Sequence, residues 1–239
     1  MMYKLILKLS IIFISFLSCN SQQSKIKKMP LTEQEILELA TQIKAQDTVF
    51  MKDGLLNIFK LKKIANIKEK YVAHEGIEKS VLDYKYTHIS DNGNSIYIRG
   101  NDVKGFTKIC KNKQDFFERL YAYFPSGELK FTYRYYIERF HKGFRFDFDQ
   151  LGNVEKYEDF DAPYDFGWED VKSFLENRKI ATKDIDGIYR SDLTGKYSWQ
   201  IVYKSEALKA TDRMHSIFLD AKTGAVLKEE ILDYTVHLD

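Results

Sequence analysis

The chain has 239 residues, of which 44% are apolar and 30% charged, with 37 Lys and Arg against 35 Asp and Glu. That near balance leaves no electrostatic footprint for nucleic acid. Two cysteines are too few for a disulfide scaffold, so stability has to come from a packed hydrophobic core.

At the N-terminus, Lys4 and Lys8 precede and open an apolar run from Leu9 to Leu17, which stops at Ser18 and Cys19 and gives way to polar Asn20, Ser21, Gln22 and Gln23. A basic start, a short apolar stretch and a small residue before the break form a secretory signal peptide. The run is far short of the roughly 20 residues that span a bilayer, so residues 1–18 are expected to be cut away. Phe16-Leu17-Ser18-Cys19 resembles the lipobox of bacterial lipoproteins, with Phe16 where that family usually has Leu. The resemblance implies that Cys19 is the lipidation site and new N-terminus, anchoring the protein to the cell envelope. Asn20 stands where lipoproteins retained at the inner membrane tend to carry Asp, which implies the outer membrane, facing the periplasm. Residues 19–30 read as a polar tether. With Cys19 acylated, Cys110 is the only remaining thiol.

Thr32 and Glu35 are spaced as a capping box, and Ile36, Leu39, Ala40 and Ile43 recur at helical intervals, which predicts a helix over 33–46. Residues 49–89 read two ways: Leu55, Ile58, Phe59, Lys62 and Ile67 suit a helical stripe, whereas Val81 to Ile89 alternates like a strand. Residues 91–94, Asp-Asn-Gly-Asn, predict a hairpin turn before a strand at 95–98, because Asn and Gly tolerate positive φ.

From about residue 119 the apolar period is two. Phe131, Tyr133 and Tyr135 share one face of a strand, and Phe144, Phe146 and Phe148 share a face of the next, separated by Arg145 and Asp147. An aromatic face of this kind most often forms core beneath flanking helices; left open, it presents rings to carbohydrate or peptide. Gly-containing turns at 124–130 and 148–156 join these strands. The segment is similar to the aromatic-Gly hairpins of membrane occupation and recognition nexus repeats and of some bacterial antitoxin-like proteins, although its repeats have unequal length.

Charge is uneven along the chain. Lysines dominate residues 51–72, and residues 145–176 carry ten acids against Arg145, Lys156 and Lys172, a pattern of solvated faces or of a polar contact.

Trp168, Val171, Phe174 and Leu175 predict an amphipathic helix of about 12 residues, followed by strands at 185–190, 197–203 and 214–219 and a hairpin returning at 225–228. Trp199-Gln-Ile-Val202 and Leu219-Asp-Ala-Lys-Thr-Gly-Ala-Val-Leu227 resemble, in order and spacing, the Trp strand and closing hairpin of the PepSY domain family. The helix carries Lys and Asn where that family tends to Ala. The resemblance implies a helix-plus-antiparallel-sheet module, and PepSY domains are associated with restraining or assisting secreted peptidases and with envelope regulation.

No residues are expected to be catalytic or to ligate a metal. His74, His88, His141, His215 and His237 form no metal-ligand spacing, and His74-Glu75 lacks the second His of a zinc helix. Cys110 has no neighbouring His to activate it. Asp147, Asp149, Gly152, Val154 and Glu158 match a calcium-loop pattern, but Leu151 falls where a ligand oxygen belongs, so a plain β-turn is expected.

The sequence therefore predicts an α+β protein: signal peptide 1–18, tether 19–30, a helix and antiparallel meander over 31–164, and a PepSY-like module over 165–239. It is expected to be a lipid-anchored, non-enzymatic binding module without cofactor, restraining or assisting a secreted peptidase. The alternative is an antitoxin- or immunity-type envelope protein that blocks a protein partner. The binding residues stay unassigned, an edge of the C-terminal sheet being the expected contact.

Overall fold

A computed structural model describes residues 31–45, 50–74, 76–136, 139–193 and 195–233. Cys19, the tether and His237 lie outside the described residues. The chain from Leu31 onward forms one compact unit. It is α+β, built mostly from antiparallel sheet.

Helix α1 spans Glu33–Lys44. Its capping box is formed: Thr32 N–H donates to Glu35 Oε2 at 2.7 Å, and Glu35 N–H donates to Thr32 Oγ1 at 3.3 Å. Ile36, Ala40 and Ile43 make its buried stripe. A two-residue-arm hairpin, β1 (Met51–Lys52) and β2 (Leu55–Leu56), leads into the short helix α2 (Ile58–Ile64). Asn57 caps α2 by accepting from Lys60 N–H at 2.8 Å. The helical stripe of the sequence thus ends early, and Ile67 belongs to the next strand. The β-branched and aromatic residues that follow favour extended backbone over further turns of a short helix.

Eight strands then run as an uninterrupted meander, each paired antiparallel with the next: β3 (Asn66–His74), β4 (Ile77–Ile89), β5 (Ser95–Asn101), β6 (Gly105–Lys111), β7 (Glu118–Tyr123), β8 (Leu129–Tyr136), β9 (Phe140–Phe148) and β10 (Val154–Asp159). The 91–94 turn joins β4 to β5 as expected. The 148–156 segment is a turn organised by Asp149, whose Oδ1 accepts from the N–H groups of Leu151 and Asn153.

One face of this sheet is covered. The helices bury Tyr84, Ile98, Phe106, Tyr121, Tyr123, Phe146 and Phe148 beneath Ile36, Ala40, Ile43 and Leu61. The C-terminal module adds α3 (Trp168–Asn177) and a four-stranded antiparallel sheet, β11 (Ile185–Leu193), β12 (Lys196–Tyr203), β13 (Arg213–Asp220) and β14 (Val226–Asp233), in sequence order. Trp168, Val171 and Leu175 of α3 pack on Ile188, Trp199, Ile201, Ile217 and Leu219. Phe117, Tyr136 and Phe140 of the meander enter this second core, and Trp199 Nε1 donates to the Phe166 carbonyl at 2.7 Å.

Candidate functional site

Among the described residues, no helix covers the opposite face of the meander. Register builds a row across four strands there: Tyr97 on β5 faces Ile109 on β6, Ile109 faces Leu120 on β7, and Leu120 faces Tyr133 on β8. The adjoining row sets Ala122 opposite Phe131, and Phe131 opposite Asp147. Tyr97, Ile109, Leu120, Phe131 and Tyr133 are all half-buried, so the band is apolar yet open to solvent. Alternation explains why. Phe131 and Tyr133 point away from Thr132, which faces Phe146 inside the first core, so the two aromatic triplets on β8 and β9 lie on opposite faces of one sheet.

The rings of the band hold one another in place. Phe131 and Tyr133 stack at 6.0 Å with 7° between their planes, and Tyr133 meets the His141 ring at 4.5 Å. Arg145 lies 4.8 Å over Phe131 while its Nε and Nη2 donate to Asp147, an ion pair that pushes the Arg145 pKa up. Tyr135 Oη donates to Glu118 Oε2 at 2.8 Å. At this end Phe160 closes on His141 at 4.5 Å. Burial, together with the Arg145 and Arg190 cations, pushes His141 below the usual imidazole range, favouring the neutral ring. Exposed Arg99 and Lys111 mark the opposite rim. Tyrosines and an arginine held in fixed rotamers around an aliphatic centre have the composition of a protein-binding hot spot, since little side-chain entropy is lost on contact.

The sequence-predicted contact, an edge of the C-terminal sheet, is separate from this band. β14 is an edge strand with exposed Val226, Leu227 and Ile231. Lys228 pairs with Glu230 at 2.6 Å, and Glu229 with Arg178 at 2.8 Å. Of the calcium-loop residues, Asp147 is engaged by Arg145, Asp149 is spent on its turn, and Leu151 is 88% exposed. Cys110 is half-buried beside Lys108 and Arg119; burial pushes its thiol pKa up, and the two cations only partly offset this. Among the described residues, no group of three or more His, Cys, Asp or Glu is placed to hold a metal ion, and no helix is long and apolar enough to cross a membrane.

Sequence reasoning missed Arg190, which sits on the inward face of β11 opposite Trp199. The available signal was its period-two relation to Ile188, which puts a cation where an apolar residue belongs. Comparison of the chain with protein-family models, with curated proteins and with solved structures returned no match.

Proposed function

We propose that this protein is a lipid-anchored binding module of the cell envelope, held by Cys19 at the periplasmic side of the outer membrane, which docks a protein partner on the open face of its meander. The observation that carries the docking is the Tyr97-Ile109-Leu120-Tyr133 row: an apolar band across four strands, half-open, with its rings held by stacking and by the Arg145–Asp147 pair. The lipobox-like Phe16 to Cys19 supports the anchor. The helix on a four-stranded sheet, with Trp199 beneath the helix and a hairpin at Asp220 to Gly224, supports a PepSY-like C-terminal module and hence a secreted peptidase as the partner restrained or assisted. An antitoxin- or immunity-type protein would use the same band to block its target. A photo-crosslinking amino acid in place of Leu120 should trap a partner in solubilised envelopes, whereas the same group at Glu38, exposed on α1, should not. Palmitate labelling should vanish in Cys19→Ala.

A second reading rests on β14. Its exposed apolar side chains and unpaired edge suit the addition of an extended peptide strand. A crosslinker at Leu227 that traps the partner while one at Leu120 does not would favour that reading.

A further inference from the structure

Like charges set directly opposite one another on neighbouring strands repel, so a row of them requires compensation. On the covered face of the meander, between the two cores, Arg119 on β7 faces Arg134 on β8, and Arg134 faces Lys142 on β9. Fully buried Lys108 lies one position inward, with its ammonium 5.3 Å from the Tyr121 ring. Compensation from within the protein is incomplete. Arg134 Nη2 donates to Asp115 Oδ2 at 2.6 Å, and Lys142 lies 3.8 Å from the exposed carboxylate of Glu169, in the field of Asp161 as well. Arg119 has neither a hydrogen bond nor an ion pair among the described residues. Burial, with the Arg134 cation adding to it, pushes the Arg119 pKa down, and burial does the same to Lys142. Phe117 forms an apolar floor, 5.3 Å from the Arg134 guanidinium and 4.7 Å from the Lys142 ammonium. Arg134 and Lys142 keep side-chain exposures of 32% and 22%, so the row is reachable from solvent.

We propose that Arg119, Arg134 and Lys142 form a binding site for an oxyanion, the carboxylate or phosphate group of a small ligand. A guanidinium fork presents parallel N–H donors matched to two oxygens of either group, and Arg119 has its fork uncommitted. Arg134 adds a second fork next to it, Lys142 adds a point charge, and the Phe117 floor beneath these two strengthens their attraction by excluding water. A bound anion would add to the partial counter-charge of Asp115, Asp161 and Glu169, and would tie together β7, β8 and β9 where the two cores meet.

The test is thermal unfolding of the purified protein in inorganic phosphate, in succinate and in sodium chloride at matched ionic strength. A ligand that binds only the folded state raises the melting temperature with its concentration. Phosphate or succinate should raise it above chloride in the millimolar range, and whichever does so assigns the tetrahedral or the planar group. Arg119→Met should lose the rise, Arg119→Lys should keep a reduced one, and Lys130→Met, away from the row, should keep all of it. No rise over chloride with either anion, or an equal rise in Arg119→Met, would overturn the proposal.

Discussion

Arg190 joins the two halves of the protein at the level of single atoms. Its side chain is 9% exposed, and the guanidinium lies 4.2 Å from the Tyr164 ring, 4.8 Å from Trp199 and 5.1 Å from Phe140. Nη1 donates to the carbonyls of His141 and Phe160 at 2.7 and 2.6 Å, and Nη2 to Asp161. Nε has no partner among the described residues. Removing one member of a buried charged pair strands the rest, so Arg190→Ala should cost about 3–5 kcal/mol in urea unfolding. Arg190→Met, which keeps the stem between the rings, should cost less. His141 carries a pH signature. Its folded pKa is depressed, so below an unfolded pKa of about 6.5 the unfolded chain takes up more protons than the folded one. Stability should therefore fall as pH drops through that value and level off below the folded pKa, and His141→Asn should flatten the dependence in urea titrations across that range. The inward position of Arg190 was legible from its period-two relation to Ile188, but neither role was: a lone Arg or His in a strand says nothing of the carbonyls and rings that a different element brings to it.

Element boundaries followed local chemistry where that chemistry was strong. The Thr32–Glu35 cap, the Asn-Gly turn before β5 and the Trp168, Val171 and Leu175 stripe of α3 are where their residue spacing puts them. The region from 49 to 89 was ambiguous because its apolar residues satisfy both periods, and the Asn57 cap together with the burial of Leu61 in the first core decides where α2 sits. Period-two alternation on β8 and β9 was legible, but not which triplet faces inward. That depends on a one-residue offset in pairing, which sends an entire set of side chains to the other face. Tight turns at this scale give a checkable cost. Gly105 has φ +82°, and a Cβ there would lie 2.1 Å from the Tyr123 carbonyl oxygen, whereas Gly143, at φ +67°, has open space around it. Gly143→Ala should lose about 1–2 kcal/mol from left-handed strain alone. Gly105→Ala should lose clearly more in thermal melts, because the backbone of β7 would have to move as well.

For the molecule as a whole, the decisive arrangement is that both helical modules use the same face of the meander. α1 and α2 cover one part of that face, α3 and its sheet take Phe117, Tyr136 and Phe140 at another, and the cationic row of Arg119, Arg134 and Lys142 lies between them. The opposite face is left with the aromatic band. None of this could be read from the sequence, since it depends on long-range docking; the α+β class and the succession of helix, meander, helix and sheet could. The central claim is that the band is where a partner docks. Its most direct measurement is quantitative co-purification from solubilised envelopes of wild-type protein beside Leu120→Lys and Leu227→Lys, each checked for a melting temperature close to wild type. The band being the docking site, Leu120→Lys should lose the co-purifying partner and Leu227→Lys should retain it. Equal recovery with Leu120→Lys and wild type would contradict the account.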